Sequence, residues 1–313
     1  MENVIIKRGY VTTLDKLPSY SIALDGYVQG PVCDEDNHRW SFDHHGNCLR
    51  YCTQATCVQA WTAIMLGLED IDRYTVYCND IDIDVCAAIW CLKNPDRCME
   101  PLVKKLIDAI GIGDMHGGAI SCNGMTKVIE WICEPETGSR RHNDYHKISN
   151  EGLQSILEAI LYRIDQYVDG EATVECSKHP KHGEYKILRN ENDWVMVESA
   201  DPHVSSALFQ AGFCRIVIVR PQSDDSYCVT LAKKSDFISG FPILDFYDQL
   251  NIKEQSLYKR LSENEKPRYV LDNLWGGSSR IGGSPRNSDG SRSHLSLEDI
   301  AQTIDEIIQR KYR

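Results

Sequence analysis

The chain has 313 residues and a formal net charge of -12. That length can bury two cores, and the acidic balance excludes tight, sequence-independent binding to long nucleic acid, which needs many Lys and Arg on phosphates. No apolar run approaches the length of a membrane span, and Met1–Arg8 lacks the apolar stretch of a signal peptide, so a cytoplasmic protein with no membrane partner is expected.

In chain order, Ser21–Leu24 reads as a strand ending at the turn dipeptide Asp25-Gly26. Arg39-Trp40-Ser41-Phe42 is a second extended segment and runs into Asp43-His44-His45-Gly46. Thr53–Leu68 carries apolar residues at helical spacing (Cys57, Ala60, Trp61, Ile64, Met65, Leu68). Tyr74–Cys78 is a third strand, ending in Asn79-Asp80. A helix follows from about Asp84 to Lys93, and another from Pro101 to Ile110, closed by Gly111-Ile112-Gly113. Asp114-Met115-His116 then lies in a Gly-rich loop. This alternation predicts an α/β fold, a doubly wound, mostly parallel sheet in residues 1–168, with carboxylates gathered after strand ends, where open α/β sheets bind ligands.

A helical pattern from Gly152 to Val168 leads into a polar stretch, 169–192, read as a linker. Residues 193–313 form a smaller α/β domain: strand Trp194–Val197, helix Val204–Gln210, strands Cys214–Val219 and Tyr227–Leu231, a Gly/Ser/Arg run from Gly276 to Arg292, and a helix from Leu297 to Ile308 capped by Ser296 with Asp299 three residues on. The 13 cysteines show no Cys-x-x-Cys spacing and read as reduced thiols. Cys176, His179 and His182 have the residue types of a zinc site, but Lys178 and Lys181 between them fit a solvated loop.

The chemistry centres on Asp43-His44-His45. A carboxylate and two imidazoles on one tripeptide cannot all be buried without partners. Asp25, Asp80, Asp82, Asp84 and Asp114 are available to share a cation with them. Taken singly, the tripeptide could be a solvated turn, and Asp80, Asp82 and Asp84 the polar face of an edge strand, although three carboxylates on one face repel one another unless a cation intervenes. Asp and His without a thiolate favour Mn²⁺ or Mg²⁺ over Zn²⁺, with Fe²⁺ a further choice. Two such ions polarise a phosphoryl group and lower the pKa of a bound water.

On these residues the chain resembles the DHH phosphoesterases, which include RecJ-type exonucleases, oligoribonucleases, cyclic-dinucleotide phosphodiesterases, pyrophosphatases and exopolyphosphatases. Asp25-Gly26 resembles the family's strand-end Asp, Asp43-His44-His45 its signature, Asp82-Ile83-Asp84 its Asp-x-Asp motif opening a helix rich in small residues, and Asp114 its later Asp. The second domain resembles the DHH-associated substrate domain, with a Gly-rich loop from Gly276 to Ser284, and the likeness covers most of the chain. The chain departs in order, since Asp-x-Asp follows the signature instead of preceding it, which implies a circular permutation. It also has Asp80 where the family has a His, and Ser278, Ser279 and Arg280 where a His commonly follows the glycines.

The resemblance implies a divalent-metal-dependent phosphoesterase that hydrolyses a small phosphoester (a short single-stranded oligonucleotide, a nucleotide derivative or a phosphorylated metabolite) in a cleft between its domains, by water activated at two ions. Asp25, His44, Asp80, Asp82, Asp84 and Asp114 would ligate, with Asp25 bridging. His45 would face the phosphate, and Asp43 would support a His. His116, Gly276, Gly277, Ser278, Ser279, Arg280, Gly283, Ser284 and Arg286 would hold substrate. The alternative is a phospholigand-binding or scaffold protein on the same fold with catalysis lost, and the candidate partners include a second copy of the chain, as a homodimer.

Overall fold

The computed structural model describes residues 3–120, 122, 124–141, 145–172, 184–201, 204–224, 226–260 and 270–312. The chain divides into two compact units, Met1–Ser177 and Lys178–Arg313.

In the first unit the strands are β1 (Val4–Ile6), β2 (Ser21–Leu24), β3 (Val32–Asp34), β4 (Arg39–Phe42) and, after helix α1 (Thr56–Met65), β5 (Thr75–Cys78). Their order in the sheet is β1-β5-β2-β4-β3, parallel throughout except for the β3–β4 edge. Because β5 inserts between β1 and β2, the four parallel strands all finish along one rim. Leu24 lies beside Phe42, Ala23 beside Tyr77 and Ile6 beside Cys78. Asp25, Asp43 and Asp80 therefore leave the sheet at the same end.

Side chains alternate across the sheet as strand geometry dictates. Ile22, Leu24, Val76 and Cys78 join the main core with the helices, while Ala23 and Tyr77 join a second cluster with Leu17, Tyr27 and Val28. Helix α2 (Ile83–Lys93) is buried on every side from Asp84 to Leu92, as a helix apolar all round should be. Around it lie α1, α3 (Pro101–His116), α4 (Thr126–Arg141) and α5 (Asn150–Val168).

Helix α3 corrects the sequence reading. Gly111 and Gly113 lie inside it, so Asp114 and His116 are helical rather than in a loop. A Cβ on Gly111 would lie 2.5 Å from Val58 Cγ2, so this glycine lets α3 approach α1 closely and does not end the helix. The stop comes at Gly117, in the left-handed conformation that caps helices. Strands β1 and β3 and helix α4 were not anticipated.

The second unit comprises β6 (Lys186–Glu191), β7 (Trp194–Glu198), α6 (Val204–Gln210), β8 (Arg215–Pro221), β9 (Tyr227–Lys233), α7 (Ile243–Arg260), β10 (Gly276–Gly277), β11 (Ile281–Gly283) and α8 (Leu297–Tyr312). Its sheet runs β10-β11-β9-β8-β7-β6, antiparallel except for β7–β8. Trp194, Met196, Val217, Val219, Val229 and Leu231 pack against Phe246 and Leu250 of α7 and Ile300 and Ile304 of α8. Ser296 and Asp299 form the expected cap: the Asp299 N–H donates to Ser296 Oγ at 3.0 Å, and that hydroxyl donates to Asp299 Oδ2 at 2.6 Å. The polar stretch 169–192 is not wholly a linker, because Lys186–Glu191 pairs with β7. Cys176, His179 and His182 lie outside the described residues. No described helix is long and apolar enough to cross a membrane.

Candidate metal centre

Asp25 and Gly26 both have positive φ, 47° and 81°, and the Tyr27 N–H donates to the Leu24 carbonyl at 3.1 Å. Left-handed backbone at both central residues makes a type I′ turn, the geometry that an Asp-Gly pair favours. The Asp25 N–H donates to the Phe42 carbonyl at 2.9 Å, which fixes the turn against the end of β4.

At the end of β4, Asp43 is fully buried. Its carboxylate accepts from the backbone N–H groups of Gly30 (2.6 Å), His45 (2.9 Å) and Gly46 (3.0 Å). This corrects the expected role: Asp43 organises the backbone of the signature loop and does not orient an imidazole. The turn it makes sends both imidazoles towards Asp25. His44 Nε2 lies 3.5 Å from Asp25 Oδ1, 3.9 Å from Asp84 Oδ2 and 2.7 Å from Asp114 Oδ2, and His45 Nε2 lies 2.9 Å from Asp25 Oδ1. Among the described residues, two triads share His44: Asp25–His44–His45 and His44–Asp84–Asp114, each with ligand atoms within 4.8 Å of one another.

His44 is fully buried, yet neither ring nitrogen has a hydrogen-bond partner. The 2.7 Å approach of Asp114 Oδ2 to Nε2 is an ion-pair contact. A buried imidazole that makes no hydrogen bond through either nitrogen and has three carboxylates around Nε2 is a set of groups that could hold a divalent cation. The donor set, imidazole nitrogen and carboxylate oxygen, could hold a divalent cation.

The electrostatics agree. Burial opposes ionisation of Asp25, but the two imidazoles override it and hold its carboxyl well below the usual carboxylate range. Burial also opposes protonation of His44, but Asp114 and Asp25 push its pKa up to about 10. Asp84 is raised to about 6 by burial and by the negative charges of Asp114 and Asp25. Asp82 is raised well above the ordinary range by burial and by Asp25, Asp84 and Asp114. Asp82 and Asp84, raised by burial and by neighbouring negative charge, are the carboxylates that a cation would relieve.

Asp84 is held by α1. Ala55 at that helix's N-cap has no side chain to offer, and the N–H groups of Thr56 and Cys57 donate to the two Asp84 oxygens at 2.8 and 2.9 Å. Asp82 caps α2 by accepting from the Val85 N–H at 2.9 Å; it belongs to neither triad, but the charges of Asp25, Asp84 and Asp114 reach it and raise its pKa. Asp80 does not join. Its carboxylate accepts from Tyr145 Oη at 2.5 Å, from Arg140 at 3.2 Å and from the Ile81 N–H. The chain turns into the α2 cap after β5, so Asp80, Asp82 and Asp84 never share one strand face. His116 is two residues beyond Asp114 on α3, about 200° around the helix axis, so the two side chains leave on different faces.

Two residues of the centre had no signal in the sequence. Thr56 is buried, and its hydroxyl lies 3.2 Å from both Asp25 Oδ1 and the Phe42 carbonyl. Arg50 puts Nη1 at 2.9 Å from His45 Nδ1 and Nη2 at 3.4 Å from Asp114 Oδ2. Since a guanidinium only donates, His45 Nδ1 accepts, which leaves Nε2 carrying the hydrogen towards Asp25. Neither residue falls in a periodic pattern or a motif.

In the second unit, the glycines of the β10–β11 hairpin serve packing. A Cβ on Gly277 would lie 2.9 Å from Tyr247 Oη, one on Gly282 would overlap the same hydroxyl, and one on Gly283 would strike the Val229 carbonyl. Ser278 Oγ accepts from the N–H groups of Arg280 and Ile281 inside the turn, and Ser284 Oγ accepts from the Val229 N–H. Ser279 Oγ donates to Asp236 at 3.3 Å, the Arg280 carbonyl accepts from the Lys233 N–H, and Arg286 is exposed. Gly276 is exposed, with open space beside it.

No protein-family model matches the chain, and no curated protein sequence matches it.

Proposed function

We propose that the chain is a divalent-metal-dependent phosphoesterase of the DHH type, with permuted motif order, acting on a small phosphorylated substrate. The observation that carries this reading is His44: buried, without hydrogen-bond partners, and facing Asp25, Asp84 and Asp114 within 3.9 Å. The position of β5 between β1 and β2 supports the permutation, since it sets the Asp82 strand beside the Asp25 strand although β4 intervenes in the chain.

Asp25, His44, Asp84 and Asp114 would hold the ions, Mn²⁺ or Mg²⁺, with Asp25 and His44 placed to serve two. Bound there, the ions would polarise a phosphoryl group and lower the pKa of a water. The protein's own groups do the rest. Asp43 fixes the signature loop, α1 and Thr56 set the Asp84 and Asp25 carboxylates, and His45, on the open side with its hydrogen on Nε2, would give that proton to the oxygen that leaves phosphorus.

Asp80 favours a second reading, a phospholigand-binding protein without turnover, because the position where the family has a His is tied to Tyr145 and Arg140. The test is a panel of phosphomonoesters, phosphodiesters and short oligonucleotides, offered to chelator-stripped protein reloaded with Mn²⁺ or Mg²⁺. Ion-dependent hydrolysis of at least one is expected. Ion binding with no hydrolysis of any would replace the first reading by the second.

A further inference from the structure

We propose that Arg50 is the phosphoryl contact of this site, the residue that selects a tetrahedral oxyanion as the ligand; the inference rests on the metal-dependent phosphoester reading above. Exposure grades outward through the cluster. His44 and Asp84 side chains are 0% and 1% exposed, Asp25 11%, Asp114 20%, Arg50 31% and His45 38%. An incoming ligand therefore meets Arg50 and His45 first. A site walled by carboxylates repels an anion, and Arg50 places a permanent positive charge at the open side.

The guanidinium is loosely held. One nitrogen donates to His45 Nδ1 at 2.9 Å, while its two contacts to Asp114, the carboxylate and the backbone carbonyl, are both 3.4 Å, at the limit for a hydrogen bond. Its Nε–H is buried and has no hydrogen-bond partner. Cation binding draws on Asp114 and weakens the hold further. A planar fork with free donors, beside a phosphoryl-polarising centre, is the group that pairs bidentately with phosphate oxygens.

The test titrates inorganic phosphate into full-length, Mn²⁺-saturated protein by calorimetry, for wild type, Arg50→Lys and Arg50→Gln, after a separate Mn²⁺ titration of each. Mn²⁺ affinity should agree within about threefold among the three, while phosphate Kd should rise about 10–100-fold in Arg50→Gln, at 1.4 kcal/mol per tenfold, and less in Arg50→Lys. Phosphate binding unchanged in Arg50→Gln, or absent from ion-loaded wild type, overturns the assignment of Arg50 and leaves the metal reading standing. Loss of Mn²⁺ binding in Arg50→Gln shows that the residue builds the ion site instead, which also overturns it. Wild type that binds no Mn²⁺ overturns both.

Discussion

His44 and its carboxylates set the behaviour of the centre with pH. In the ion-free protein the Asp84 pKa is raised from 3.8 to about 6, so the folded state binds the proton more tightly than the unfolded state. That contribution to stability is complete below pH 4 and is lost as pH rises through 6. His44, raised from 6.5 to about 10, has the same sign and is lost between those values. Ions need Asp84 ionised and His44 neutral, so they bind better as pH rises. The melting temperature gained on adding Mn²⁺ is therefore expected to be larger at pH 8 than at pH 5; an equal or smaller gain at pH 8 would remove these residues from the ion site. Thr56→Val, which removes the hydroxyl 3.2 Å from Asp25, is expected to weaken Mn²⁺ about 10–100-fold, as lost supporting contacts to ligands do. Titration calorimetry checks it, and unchanged affinity would make Thr56 a packing residue only.

At the scale of elements, the site depends on how closely α3 approaches α1. Gly111→Ala puts a methyl 2.5 Å from Val58 Cγ2, one turn from Asp114. Overpacking of this kind costs about 1–3 kcal/mol, and pushing α3 outward carries Asp114 away from His44. Denaturant unfolding should show the loss, together with weaker Mn²⁺ binding. Val58→Ala in the same chain makes room for the methyl and should restore part of the ion affinity; no recovery would show that the contact does not transmit to Asp114. The same glycine shows where sequence reasoning stopped. Asp25 and Asp43-His44-His45 were legible because period-two strands and turn residues mark strand ends locally, while Asp82, read as an ion ligand, caps α2 and joins neither triad. Gly111 looked like a helix stop because the neighbouring helix that requires it lies 53 residues away. Asp80 was read as a metal ligand because it stands where the family has a His, whereas its carboxylate is taken up by Tyr145 and Arg140 from elements far along the chain. Helices α4 and α7 were missed, with Pro135 inside α4 interrupting the pattern that would mark it. Arg50 and Thr56 left no trace at all, since loop and helix-start residues acquire their roles only from what the fold sets opposite them.

Across the whole molecule, the proposed ion ligands Asp25, His44, Asp84 and Asp114 come from one unit, Met1–Ser177, which has its own core. A fragment of residues 1–172 is expected to bind Mn²⁺ within a few-fold of the full chain, and failure of a folded fragment to do so would require ligands from the second unit. Gly282→Ala in the second unit, where Tyr247 leaves no room for a Cβ, should cost about 1–3 kcal/mol of that unit's stability and leave Mn²⁺ affinity unaltered. On the proposed function, the net charge of -12 fits a small phosphorylated ligand and not a long polyanion. The most direct measurement is equilibrium binding of Mn²⁺ to chelator-stripped full-length protein, with His44→Ala alongside. Saturable binding by the wild type that His44→Ala abolishes is the predicted result; no saturable binding, or equal binding by the two proteins, would contradict the account.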